Sequence, residues 1–174
     1  MRPIFLTIIL VAGTGGAALA QEAGCKTITD GMQKVLALPT HIYLTGTAEY
    51  QKGKTDNSEM IYSGSAIYLL LNGKWTRSRM STTDMAKQEQ ENIQTQKMTC
   101  RFLRDETVGG ELAAVYTAHT SSDDSKSEST IWVSKSKGLP LKVDTDMDVG
   151  GAAGKSHRSQ RFEYSNVHPP AGVQ

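Results

Sequence analysis

Tyr68-Leu69-Leu70-Leu71-Asn72-Gly73-Lys74-Trp75-Thr76-Arg77-Ser78-Arg79 is the stretch on which the fold turns. Asn-Gly between two strand-like runs is the strongest short-range hairpin signal, because both residues tolerate the positive φ of a type I′ turn. The stretch therefore predicts two antiparallel strands joined at Asn72-Gly73. Tyr68 to Leu71 is apolar at every position, so it has no wet face, and such a strand needs cover on both sides of its sheet. Ile131-Trp132-Val133 poses the same demand further along.

Upstream, His41 to Tyr50 alternates: Ile42, Leu44, Ala48 and Tyr50 share one side, and Thr45, Thr47 and Glu49 the other. A period of two predicts a half-buried strand. Gln51 to Asn57 is polar and reads as a loop. Met60 to Leu71 returns as one strand, bent at Ser63-Gly64-Ser65. Before these, Ile28, Met32, Val35 and Leu36 form a 3.6-residue stripe that Pro39 ends, which predicts a short amphipathic helix over Cys25 to Leu38.

Downstream, Ser81 to Asp84 carries N-cap chemistry and opens a second helix over Met85 to Gln96. Its apolar content is thin: Met85, Ala86 and Ile93. Strands follow at Met98–Glu106, Leu112–Thr120, Ser129–Ser134, Leu141–Met147 and His157–Val167, with corners at Gly109-Gly110, Ser121 to Ser127, Lys137-Gly138 and Gly150 to Gly154. The expected architecture is mainly β (α+β): about eight or nine antiparallel strands, one N-terminal helix and one inserted helix.

The first twenty residues are unlike the rest. Met1-Arg2-Pro3 is basic, Ile4 to Val11 is apolar apart from Thr7, and Ala18-Leu19-Ala20 is an A-x-A site, which is the pattern of a cleavable export signal. Residues 1–20 are read as a removed signal peptide and 21–174 as one domain. Export of that kind implies the periplasm. Gly13 to Gly16 interrupts the apolar run well short of the ~20 residues a membrane span needs, so an integral membrane protein is not expected. The chain has 174 residues with 19 Lys+Arg and 18 Asp+Glu. Removing the signal takes one arginine and no acid, and a neutral remainder lacks the basic footprint of a nucleic-acid binder.

Two cysteines in an exported chain suggest a disulfide, Cys25–Cys100. Lipidation of Cys25 is the rival, since Ala23-Gly24-Cys25 ends like a lipoprotein site. Glu22 stands where that site wants an apolar residue, which favours the bridge.

Apparent chemistry motifs have simpler readings. Gly150 to Ser156 ends like a phosphate-binding loop, but Val149 replaces its first glycine and a strand follows where a helix is required. Asp144, Asp146 and Asp148 have the spacing of a calcium loop, but Val149 and Lys155 occupy its glycine and glutamate positions. His41, His119, His157 and His168 show no ligand spacing, and no nucleophile motif is present. No catalytic residue, metal site or cofactor is expected, and the chain is not read as an enzyme.

Asp105-Glu106-Thr107-Val108-Gly109-Gly110-Glu111-Leu112-Ala113-Ala114-Val115-Tyr116 and Ile131-Trp132-Val133-Ser134-Lys135-Ser136-Lys137-Gly138-Leu139-Pro140-Leu141-Lys142 resemble runs in the LolA/LolB lipoprotein-localisation superfamily. The order of elements is similar too. The resemblance implies an unclosed, strongly curved antiparallel barrel with helices as a lid over an apolar cavity, and a partner that is a lipid or lipoprotein acyl chain. An envelope protein bound at a sheet edge or at the Ser121 to Ser127 hairpin is the alternative partner. Dedicated carriers are longer and richer in aromatics than this chain with its 11 Phe, Trp and Tyr, so no family contact residue is carried over. From two-faced apolarity alone, Tyr68, Leu70, Trp75, Met85, Ile93 and Trp132 are the expected ligand-lining residues, with the helix at Met85 to Gln96 as lid.

Overall fold

The computed structural model describes residues 15–48, 54–95, 97–122, 125–151 and 154–173. Residues 1–14, which hold the basic and apolar parts of the expected export signal, lie outside these, as do Tyr50, Gln96 and parts of the loops expected at 51–57, 121–127 and 150–154. Eleven elements follow in order: α1 (Gly15–Ala37), β1 (Thr40–Ala48), β2 (Thr55–Ser63), β3 (Ala66–Leu71), β4 (Lys74–Arg77), α2 (Thr82–Thr95), β5 (Lys97–Val108), β6 (Glu111–Ser121), β7 (Lys126–Ser134), β8 (Pro140–Asp148) and β9 (Lys155–Glu163).

The nine strands form one antiparallel sheet in the order β4-β3-β2-β1-β9-β8-β7-β6-β5. Every neighbour pair is consecutive in the chain except β1 and β9, whose pairing joins the N-terminal meander to the C-terminal one. β4 and β5 are the edges, and they do not pair, so the sheet stays open. Laid flat, nine strands would span roughly 40 Å. Yet one apolar cluster joins Tyr62 of β2 and Ile67 of β3 to Cys100 of β5 through Ile28 and Val35 of α1. The sheet therefore curls round the helices, and their side is its concave face.

The hairpin at Asn72-Gly73 forms as its sequence requires: both residues have positive φ, 53° and 74°, and Leu71 pairs with Lys74. The expected bend at Ser63-Gly64-Ser65 is instead a complete reversal. Gly64 adopts φ 58° and Ser63 pairs with Ala66, so the predicted single strand is two, β2 and β3. Alternation runs unbroken through that tight turn, which hides the corner. β2 also begins five residues earlier than its apolar residues suggest, because Thr55 to Glu59 pair with β1 while remaining exposed or half-buried.

α1 is longer than its apolar stripe predicts. Ala17, Ala18, Leu19, Ala20 and Ala23 are strong helix formers, and they carry the helix back to Gly15, through the expected cleavage position. Ile28 and Val35 are its buried residues in the core, with Cys25, Met32 and Leu36 packed beside them. Pro39 ends it, and Thr40 Oγ1 donates to the carbonyls of Val35 and Leu38. The bridge between Cys25 and Cys100 is formed, at a Cα–Cα distance of 5.1 Å, and it ties α1 to the edge strand β5.

α2 starts with a reciprocal cap. The Asp84 amide donates to Ser81 Oγ at 3.1 Å and the Ser81 amide donates to Asp84 Oδ2 at 3.0 Å. The hydrogen bond from Ser81 Oγ holds the Asp84 carboxyl below its ordinary pKa.

The runs that carry the family resemblance meet at a polar knot. Glu111, at the start of β6, accepts from Lys137 Nζ at 2.7 Å, from Ser136 Oγ at 3.2 Å and from the buried Ser134 hydroxyl. The Lys137 bond, then the Ser134 bond, depress the Glu111 pKa. The knot clamps the β5–β6 hairpin to the β7–β8 corner.

Two measurements test these attachments. Replacing Cys25 and Cys100 together by Ala should lower unfolding stability by about 4 kcal/mol in urea titration, because the bridge closes a loop spanning 75 residues. Unchanged stability would show that the bond does not constrain the chain. The Glu111 linkage has a definite sign: a depressed folded pKa adds stability above the unfolded value and loses it as pH falls through the folded one. Glu111→Gln should therefore be less stable than wild type at pH 7, by about 1 kcal/mol, and the difference should shrink in melts below about pH 4.

Candidate functional site: an open groove on the concave face

Helices α1 and α2 cover only part of the concave face. Between them and the sheet lies a narrow apolar cleft of about 110 Å³, lined by Met32 and Leu36 of α1, Met85 of α2, Met60 and Tyr62 of β2, and Phe162 of β9 among others. Burial pushes the Tyr62 phenol up to about 12. Its hydroxyl reaches the Met85 sulfur at 3.3 Å. A second cleft of about 130 Å³ lies nearer β5, beside Ile28, Ile93, Asn92 and Met98.

Beyond the helices the concave face is bare. There an open groove of about 470 Å³ runs over Leu44, Ala48, Met60, Leu69, Leu71 and Met147. Its inner end shares Leu44, Met60 and Gln160 with the cleft beneath α2, so the cleft adjoins the groove. Leu71 is 52% exposed and Met147 40%, so this apolar lining is open to solvent. The volume lies within the range of small-molecule sites.

The residues expected to line a ligand site divide between the two faces. Met85 lines the cleft and Ile93 the smaller neighbouring one, although Ile93 is itself exposed. Tyr68, Leu70 and Trp75 fall on the convex face: Tyr68 pairs with Ile61 and Arg77, Leu70 with Glu59 and Trp75, and the core residues Tyr62 and Ile67 point the other way. Trp132 is convex as well. These four do not join Met85 in one cavity.

Their cover comes from the protein itself. Trp132 packs with Ala113, Val115, Leu103 and Leu141, and the Lys142 ammonium stands 4.6 Å above its ring. Leu103, which follows the concave Phe102 and so faces the other way, reaches this cluster, and the register with β6 shifts between Phe102 and Arg104. His41 stacks on Tyr43 and meets Trp75 edge-on, and Arg161 lies 4.1 Å over Tyr43. Several charges of this face are paired: Arg161 with Glu163 and Lys142 with Asp144 at 2.6 Å, while the His41 ring meets the Glu59 carboxylate at 2.7 Å. The charged ends of Lys142 and Arg161 thus cover aromatic faces.

Leu44 and Met60 look like ordinary alternation and Leu69 and Leu71 belong to the run that is apolar at every position, so only their common strand register makes the four a surface. Alternation marks which side of a strand is apolar, but it cannot mark how far along the strand a helix reaches.

The acids with calcium-loop spacing are each engaged on the convex face. Asp144 accepts from Ser159 Oγ at 2.6 Å as well as from Lys142, Asp146 meets His157 at 2.8 Å, and Asp148 accepts from the Gly150 amide. No group of three or more His, Cys, Asp or Glu among the described residues could hold a metal ion. β9 begins at Lys155, so a strand follows Gly154-Lys155-Ser156, as the sequence requires. No described helix is long and apolar enough to cross a membrane.

No protein-family model and no curated protein matches the chain. Solved structures do. The chain is similar to MucB in complex with MucA(peri), at 13% identity and a TM-score of 0.48, over 85% of this chain and 60% of that one. It is also similar to the hypothetical lipoprotein YmcC from Escherichia coli (K12), at 14% identity and a TM-score of 0.36, over 74% and 88%. A third is a DUF1329 family protein from Desulfovibrio piger, at 12% identity and a TM-score of 0.36, over 89% and 95%.

Proposed function

We propose that this is a non-catalytic binding protein of the cell envelope, exported to the periplasm, which holds an apolar chain in the concave groove and the cleft beneath α2. The observation that carries the reading is a solvent-open groove floored by Leu44, Met60, Leu69 and Leu71 that adjoins a mainly apolar cleft under the helices. Each methylene moved from water into such a site contributes about 0.8 kcal/mol, so a short chain can be retained with little polar recognition. α2 is the element that yields. Its body contributes Met85 to the core and leaves Ile93 exposed, and its N-terminus is attached by the cap and by two hydrogen bonds from Thr82 to the Gly64 and Ser65 carbonyls. An element with few buried apolar side chains opens at low cost.

A second reading, docking of an envelope protein, is favoured by β5. It is a 12-residue edge strand, and Phe102 stands 51% exposed on it beside Tyr116. Free edges of this kind accept a further strand.

Lipid extraction and mass spectrometry of protein purified from the periplasm should find a co-purifying apolar chain, and the protein should take up N-phenyl-1-naphthylamine with a rise in fluorescence. Leu71→Asp should weaken that uptake about tenfold with little change in melting temperature, since Leu71 is exposed. Trp75→Ala, on the convex face, should leave it unchanged. Ligand-free protein that takes up no probe would overturn the reading, and a strand-adding partner recovered by cross-linking at β5 would then replace it.

A further inference from the structure

The groove is not uniformly apolar: Asp56, Glu59, His157 and Arg158 are among its lining residues. Cross-strand pairing orders the concave face of β1, β2, β8 and β9 into levels. Ile42, Met60 and Phe162 form the level nearest the helices, Leu44, Ser58, Gln160 and Val143 the next, Gly46, Asp56, Arg158 and Thr145 the third, and Ala48, Ser156 and Met147 the rim. Successive levels are about 7 Å apart. On the concave side of β1, β2, β3, β8 and β9, only two described side chains are charged, Arg158 and Asp56. They flank Gly46, which has no side chain to separate them, with their backbones about 10 Å apart.

Arg161, Lys142 and Lys135 each have a carboxylate partner, whereas among the described residues Arg158 makes neither an ion pair nor a side-chain hydrogen bond. Arg158 lies in the groove lining, outward of Leu44 and Met60, which also line the mainly apolar cleft with Met85, Phe162 and Glu89. A cation without a partner at the open end of an apolar channel complements one kind of occupant. We infer that the groove binds a single-chain amphiphile with an acidic end group, the acid held by Arg158 and the chain running inward beneath α2.

The inference rests on the apolar-chain reading above and adds polarity and direction to it. A guanidinium takes a carboxylate through two parallel hydrogen bonds, so the acid should be preferred to a neutral end group of the same chain length. The inward path offers the chain Leu44, Met60 and Met32, while the rim offers only Ala48 and Met147, which sets the direction. Asp56 works against any second negative charge at the same level and so favours a compact end group of charge −1.

Displacement of N-phenyl-1-naphthylamine by laurate and by 1-dodecanol at pH 7.5 tests this. Wild type should bind laurate at least about tenfold more tightly than dodecanol. Arg158→Gln should bring laurate to the dodecanol value while leaving dodecanol binding intact, which also shows that the variant is folded. Equal affinities for the two ligands in wild type, or a preference for laurate that survives Arg158→Gln, would overturn the assignment of Arg158 and leave the apolar-chain reading standing. Failure of both ligands to displace or bind would overturn both.

Discussion

A single docking event, α1 against the inside of a curled sheet, holds this structure together. Two free edges leave the sheet unable to close on itself, so its concave face must be buried by something else. Ile28 and Val35 do this from one helix stripe, and they bring β2, β3, β7 and β8 residues into the same cluster as Cys100 of the far edge. The bridge from Cys25 to Cys100 makes the contact permanent under oxidising conditions. Removing the helix would expose Ile42, Phe162, Ile131 and Val143 together, which no rearrangement of an antiparallel sheet could re-bury.

The same constraint explains where a ligand can go. α1 is narrower than the concavity, and α2 fills only part of the remainder. What neither helix reaches is the groove from Leu44 to Met147. The outer face needs no such help. Its aromatics are covered by their own neighbours, Lys142 over Trp132 and Arg161 over Tyr43, each cation paired with a carboxylate. The proposed binding site therefore falls on the side where the protein is short of cover.

Much of the fold was legible because local signals and tertiary structure agree. The Asn72-Gly73 turn, the stop at Pro39, the cap at Ser81 and the corner at Gly138 are each dictated by the conformational limits of a few residues. Legibility failed where one local signal admits two outcomes. Gly64 inside an alternating run can be a bend or a reversal. The register shift between Phe102 and Arg104 lies in what looks like plain strand, and no local residue marks it. Tyr68, Leu70 and Trp132 were plainly two-faced in sequence, but what covers the second face depends on the residue paired alongside on the neighbouring strand, Glu59 beside Leu70 and Lys142 beside Trp132.

By itself the sequence determined an antiparallel sheet of eight or nine strands with two helices and favoured a bridge between its cysteines, since turn chemistry, hydrophobic period and cysteine count are properties of short segments or of composition. The tertiary structure alone decided which face of each two-sided strand is concave, how far the helices extend over it, and that Arg158 and Asp56 share a level across Gly46. Those are matters of strand register and of the distance a helix reaches, and register is set by the pairing of segments far apart in the chain. The position of a binding groove on this sheet is such a matter, which is why strand pairing locates it and residue type does not.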